Sequence, residues 1–313
     1  MLEPTIEWLL EGDVSIQFQT YRDLLGEVRP ELQSRIATTG WGGQFLRCRN
    51  GDGSWGRGFY QPKWTSTHYT VLDLKNLQIA PNHDRIRESV RAIGRTQRAG
   101  DGGINPPGTV MQSDVCINGM YLNYACYFGE AEEAMTSVVD FILEQRMADG
   151  GFNCRRNRSG ARHSSLHSTL SVAEGIQEYV RCGYRYRVRE LEDAAASSQE
   201  FILQHRLFKS DHTGETIHKD LLRLAFPPRW KYNILRALDY FRDAGVGRDP
   251  RMDDALSVLR AKKRKDDRWP LQSAHPGQVH FPMEKAGEPS RWNTLIALRV
   301  LRHYRPNGLY FTA

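Results

Sequence analysis

The chain has 313 residues, 40% of them hydrophobic and 26% charged, with a formal net charge of +6 and a pI of about 9.1. No apolar run approaches the roughly 20 residues that a membrane span requires, so a globular, non-membrane chain is expected. The cations are dense only in CRRNRSGAR (154–162) and RAKKRKDDR (260–268), with no groove-reading motif beside them, so an anionic ligand is permitted and nucleic acid is not expected.

In chain order, the first segments are IEWLLEG, FQTYRDLLG and PELQSRIATTG. Their apolar residues fall three and four apart with glycine at the ends, which predicts lead-in helices over residues 1–44. The opening stretch MLEPTIEWLLEGDVS has acids early and no basic region followed by an apolar one, so no secretory signal is expected. Five cysteines (Cys48, Cys116, Cys126, Cys154, Cys182) form an odd set with no CxxC pair. That fits a reducing, cytoplasmic setting better than a disulfide framework.

From residue 45 onward a unit recurs. A helical segment ends in a Gly/Asp turn followed by a large apolar residue, then a loop, then a second helix. The turns are NGDGSW (50–55), AGDGGI (99–104) and ADGGF (148–152), with degenerate forms KSDHTGE (209–215) and KDDRWP (265–270), and the hexapeptides FILEQR (141–146) and FILQHR (201–206) nearly coincide. Such a period signals a repeat architecture. Aligning the second helices by their apolar positions puts His68, Cys116, His167, Tyr232 and Trp292 in one register. Segments apolar nearly all round, such as WTSTHYTVLDLKNL and RWNTLIALRVL, belong to an inner layer, and DRIRESVRAIGRTQR is amphipathic and belongs outside. The inner helices are predicted to begin near Trp64, Ser113, Ser164, Arg229 and Arg291. The expected fold is all-α, a single (α/α) toroid of five to six helical hairpins over 45–313, with strand signals scarce.

Asp114 and Cys116 in MQSDVCINGM, with His167 in SSLHSTLSVAEG, form a three-ligand zinc set. Equally, Asp114 fits a helix N-cap, Cys116 a small buried residue and His167 a satisfied core histidine. Residues two apart on a helix point about 200° apart, so zinc binding requires Asp114 at the N-cap, with Cys116 in the first turn, where the helix dipole favours a thiolate. His68, in the same register, is a candidate fourth ligand or catalytic contact, or a structural histidine. Arg162 and His163 precede His167 and are candidates for an anion clamp and a catalytic contact, or for a solvated basic loop. Two long loops, 212–232 with Glu215 and Trp230, and 273–293 with His275, His280 and Glu284, are expected to cap the ring.

The Gly/Asp turn, the aromatic after it and the apolar inner helix, repeated about five times over residues 45–304, resemble the prenyltransferase and squalene oxidase repeat. Protein prenyltransferase beta subunits and squalene-hopene cyclases share that repeat. The resemblance implies an (α/α) toroid and a catalytic zinc ion held by Asp114, Cys116 and His167, the family's Asp-x-Cys and later His. It also implies an isoprenoid substrate in a central apolar cavity, lined by Tyr69, Tyr121, Trp230, Tyr232 and Trp292, and a possible partner subunit. The chain departs from the family where basic residues should precede Asp114 and an aromatic should follow Cys116: GTVMQS and Ile117 stand there. The cyclases' Asp-x-Asp-Asp tetrad is missing. The expectation is a zinc-dependent, prenyltransferase-like transferase. A non-catalytic lipid-binding protein and a cyclase-like enzyme with relocated acids are the alternatives.

Overall fold

Four of the five repeated turns are built the same way in the computed structural model, which describes residues 2–106 and 112–305; the turn at 209–215 is not. Two positions before the large apolar residue the backbone turns left-handed, with φ of 88° at Gly53, 84° at Gly102 and 91° at Gly150, a conformation that glycine adopts without steric cost. In the last unit Asp267 takes that place at φ 58°, which aspartate tolerates better than most residues. The apolar residue then enters the core: Trp55, Ile104, Phe152 and Trp269 are at most 1% exposed.

Each buried turn residue has its amide received by a polar side chain of the following inner helix. Thr67 accepts from Trp55 at 2.9 Å, Asn118 from Ile104 at 2.7 Å, Thr169 from Phe152 at 3.0 Å and Thr294 from Trp269 at 2.9 Å. This explains polar residues in otherwise apolar helices, because a buried amide left unpaired is costly. Both tryptophan indoles also donate to the carbonyl ten residues earlier, Trp55 to Phe45 at 2.7 Å and Trp269 to Leu259 at 2.8 Å. The turn is thereby fastened to the end of its outer helix.

The lead-in comprises α1 (Pro4–Leu10), α2 (Val14–Thr20), continued by a π turn at Tyr21–Leu25, and α3 (Pro30–Arg35). Five hairpins follow, each an outer and an inner helix: α4 (Gly40–Arg47) and α5 (Thr67–Asn76); α6 (Asp84–Thr96) and α7 (Val115–Tyr127); α8 (Thr136–Glu144) and, after the short α9 (Arg155–Ser159), α10 (Leu166–Arg181); α11 (Val188–Gln204) and α12 (Ile234–Asp243); α13 (Asp253–Ala261) and α14 (Arg291–His303). α6 buries Ile86, Ser89, Val90, Ile93 and Gly94, the single stripe of an outer helix, and α7 buries residues on every side. No strand forms among the described residues, only isolated bridges.

Polar bonds carry the inner ring round to closure. Gln19 on α2 donates to the Asn76 carbonyl of α5 at 3.2 Å, and Arg236 of α12 pairs with Glu174 of α10 at 2.8 Å. Arg299 of α14 reaches both Asp239 of α12, at 2.7 Å, and Asp23 in the π turn, at 2.8 Å. At the crossing of α7 and α10, glycine meets glycine: a β-carbon on Gly175 would stand 2.3 Å from the Gly119 carbonyl oxygen. The fold is an (α/α) toroid in which α2 serves as a sixth inner helix. The expected boundary at residue 44 lies within α4. Among the described residues no helix is long and apolar enough to cross a membrane.

The inner helices begin at or up to five residues after the expected points, because their caps are Ser66, Asp114, Ser165, Asn233 and Ser290. His68, Cys116, His167 and Trp292 are each the second residue of an inner helix, as the common register requires. Tyr232 is not. It precedes the Asn233 cap of α12. Residues 107–111, in the expected loop before α7, and 306–313, in the expected last domain segment, lie outside the described residues.

Candidate functional site

The N-terminal ends of the inner helices gather most of the chemically capable side chains. Asp114 occupies the N-cap of α7 with extended backbone (φ −85°, ψ 123°), yet its carboxylate caps no amide. Arg158 of α9 takes it instead: Nε donates to Oδ1 at 2.8 Å, and Nη2 bonds Oδ2. The amide of Cys116, left without its usual acceptor, donates to the Cys154 sulfur at 3.3 Å. Ser168 of α10 accepts the Cys154 amide at 3.2 Å through its oxygen and donates its hydroxyl to the same sulfur at 3.3 Å.

The neighbouring Cys116 side chain holds the Cys154 thiol below its ordinary pKa, helped by Ser168 and the Cys116 amide and opposed by burial. The proximity of Cys154, with burial, drives Cys116 well above its ordinary value. The low-pKa thiol expected in the first turn of α7 is therefore Cys154, not Cys116. Lys63 stands close by, its ammonium 5.1 Å from the Trp64 and Trp230 rings and 5.8 Å from Tyr60. Burial lowers its pKa, while Cys116 and Asp114 pull it up.

The expected zinc set is not brought together: no three His, Cys, Asp or Glu side chains converge as metal ligands among the described residues. Arg158 occupies Asp114, and Cys116 is paired with Cys154. His167 accepts the Tyr232 amide on Nδ1 at 2.8 Å. Its neutral ring thus carries hydrogen on Nε2, leaving neither nitrogen a free lone pair. Burial, with Arg236 and Lys231 near, pushes His167 down to about 4, so it is neutral at physiological pH.

The other expected site residues scatter. His68 is fully buried among Phe59, Tyr60, Tyr69 and Tyr124, with Nδ1 3.1 Å from the Tyr124 hydroxyl, and burial pushes it down to about 3. Tyr69 shares a 3.2 Å hydroxyl contact with Tyr60 inside the same cluster. Tyr121 points at the outer layer, since its hydroxyl lies 2.6 Å from where a β-carbon on Gly94 of α6 would be. Tyr232 likewise reaches outward to the Leu207 carbonyl at 2.6 Å. Arg162 and His163 are exposed. Glu284 is occupied at the N-terminus of α14, receiving the Trp292 amide at 3.2 Å and the Ser290 hydroxyl. Trp230 packs edge-on to His167 at 5.3 Å. Over this end lies the 273–293 loop, fastened by Trp64 donating to the Pro276 carbonyl at 2.7 Å and by His280 beside Thr70 at 3.0 Å.

The central cavity runs between the C-terminal ends of α5, α7 and α10 and the N-terminal ends of α12 and α14, and has a volume of about 510 Å³. Of the five aromatics expected to line it, only Trp292 does, stacked on Phe226 at 4.4 Å. Seven cations (Arg22, Lys75, Arg181, Arg229, Arg236, Arg242, Arg299) face five carboxylates (Asp23, Glu174, Glu178, Asp239, Asp243), with the amides of Gln19, Asn123 and Gln177 among them. The mouth is the Arg181–Asp243 pair, with side chains 44% and 38% exposed, and the floor holds Arg229 and Arg236 at 4% and 9%. Cations here also answer the negative ends of the helix dipoles. The expected apolar, isoprenoid-shaped interior is replaced by a charged basin, because the inner helices turn Lys75, Glu174, Glu178, Arg236, Asp239 and Arg299 toward it.

Sequence reasoning passed over Cys154, Ser168, Arg158 and Lys63. The run CRRNRSGAR was read for its charge and not for its leading cysteine. The basin had a signal too, in arginines such as Arg236 and Arg299 that interrupt inner-helix patterns.

No protein-family profile matches the chain, and no curated protein matches it in sequence. Among solved structures it is similar to a polysaccharide lyase, at 12% identity and a TM-score of 0.51, over 92% of this chain and 86% of that one. At that identity the likeness establishes the fold alone. It corrects the resemblance to the prenyltransferase and squalene oxidase repeat: the turn-and-helix pattern follows from building a helical toroid and does not mark that family.

Proposed function

We propose that the charged basin binds an acidic, hydroxyl-rich ligand, an oligosaccharide bearing carboxylates. The observation that carries this reading is the lining, seven cations against five carboxylates with interspersed amides. Arginine forks suit planar carboxylates, and side-chain amides suit hydroxyls. Ligand pockets are more often predominantly apolar, so a lining of this polarity argues against a hydrocarbon guest. Trp292 at the floor offers one flat apolar face to a sugar ring. The fold shared with a polysaccharide lyase is compatible with this reading.

Calorimetric titration with an oligogalacturonide, beside a neutral oligosaccharide of equal length, tests it. The acidic ligand should bind and weaken as salt is raised. Arg181→Gln at the mouth should reduce affinity about tenfold, the order expected for one charge-assisted hydrogen bond. Equal binding of the neutral sugar, or no binding of the acidic one, would overturn the proposal.

A further inference from the structure

Outside the basin, we infer that Cys154 and Cys116 form a thiol modification site. Cys154 is the thiolate that reacts with hydrogen peroxide, and Cys116 is the thiol that resolves the product to a disulfide. This inference does not depend on the oligosaccharide reading.

Two donors converge on the Cys154 sulfur. The Cys116 amide, in the first turn of α7, and the Ser168 hydroxyl each stand 3.3 Å away. The direction of the Ser168 bond is fixed, because its oxygen accepts the Cys154 amide and its one hydrogen remains for the sulfur. The amide is free for this role only because Arg158 draws the Asp114 carboxylate away from its own helix. A sulfur receiving such donors at a helix N-terminus is stabilised as a thiolate. The ionisable groups around it are Lys63, Arg158, Asp114 and Tyr60. The negative charge of Asp114 opposes the thiolate, and the Arg158 pair offsets it.

The reach is right for a bridge. With the Cys154 sulfur 3.3 Å from the Cys116 nitrogen, it lies within about 4.8 Å of the Cys116 α-carbon, so a change of χ1 suffices to join the sulfurs. Both residues are partly exposed, enough for an oxidant as small as peroxide. In the first step the Cys154 thiolate attacks one peroxide oxygen, the O–O bond breaks, and sulfenic acid and hydroxide form. In the second, the Cys116 sulfur attacks the sulfenic sulfur, the S–O bond breaks, and the hydroxyl leaves as water with the Cys116 proton. Two thiols and one peroxide become one disulfide and two waters, the thiols losing two electrons.

The chain supplies its own standard. Cys182 is the exposed cysteine, but burial and Glu178 push its thiol up to about 11. Exposure alone therefore ranks Cys182 first and thiolate character ranks Cys154 first. The fully reduced protein is treated with one equivalent of peroxide at pH 7, quenched by alkylation and mapped by peptide mass. Cys154 should be consumed at least tenfold faster than Cys182, with a linked Cys116–Cys154 peptide as product. In Cys116→Ser the reaction should stop at a Cys154 sulfenic acid that dimedone traps. In Ser168→Ala, with an unchanged circular dichroism spectrum, the rate should fall several-fold and its pH midpoint should rise. Faster loss of Cys182 would overturn the inference. So would absence of the linked peptide from the parent protein, which needs no variant to fold, or thiols that react only after a chelator strips a bound metal.

Discussion

The crossing of α7 and α10 gives a direct stability test, because two helices approach there through paired glycines. In Gly175→Ala the new β-carbon would lie 2.3 Å from the Gly119 carbonyl oxygen and 3.0 Å from its carbon. Ordinary carbon–oxygen contacts lie at about 3.3 Å or more, so the helices must part by about 1 Å. Overpacking of this kind costs about 1–3 kcal/mol, and the upper end applies since the obstacle is backbone rather than a pliant side chain. Alanine's helix propensity returns about 1 kcal/mol. The net loss is about 2 kcal/mol, or a fall in Tm of about 3 °C for a chain of this length. Urea unfolding followed by circular dichroism should show a lower midpoint with unchanged slope. Gly247→Ala, where nothing lies within 4 Å, should stay within about 0.5 kcal/mol of the parent. A Gly175→Ala protein as stable as the parent would refute the close crossing. It would also refute the spacing that sets Ser168 of α10 against the end of α7.

Asp73, buried against Arg229 at 2.6 Å, has its carboxyl raised to about 6, burial outweighing the arginine. Its folded pKa exceeds the unfolded 3.8, so its stabilising contribution is full below pH about 3.8 and is lost as pH rises through about 6. Asp73→Asn should flatten the dependence of unfolding free energy on pH between 4 and 6, and an unchanged slope in denaturation at several pH values would count against it. Trp269→Phe removes the indole bond to Leu259 and should cost about 1–3 kcal/mol by leaving that carbonyl unpaired. Trp269→Ala should cost about 3–5 kcal/mol, and urea midpoints that fail to rank the two in that order would contradict the role assigned to the turn.

The fold was legible because four of the five units repeat one local rule. A left-handed residue, a large buried apolar side chain and a polar acceptor on the next helix recur at fixed offsets, and a sequence displays offsets directly. His68, Cys116, His167 and Trp292 take a common helix position for that reason, and Tyr232 escapes it because Asn233 caps α12 after it. The site was less legible because partners there are chosen across units. Asp114 reads as a cap or a metal ligand until Arg158, 44 residues away, is seen to take it. His167 reads as a ligand until the Tyr232 amide, 65 residues away, is found on its Nδ1. The cavity's polarity was hidden for a related reason. An inner helix is apolar where it meets its neighbours, and whether its charged C-terminal residues face solvent or the ring interior depends on a rotation that periodicity does not specify.

Arg299 is held at once by Asp23, near the start of the chain, and by Asp239, in the preceding hairpin. Those two carboxylates lie 216 residues apart in sequence and share a cation that a ribosome makes later than either. While the chain is being synthesised, α2 through α12 stand as an open arc, and the two acids at its free edges have no common counter-charge. Only when α14 arrives does the arc become a ring and the basin gain its last wall. The basin is therefore walled on one side by the last helix alone, and an arc lacking α14 has helices but no enclosed interior.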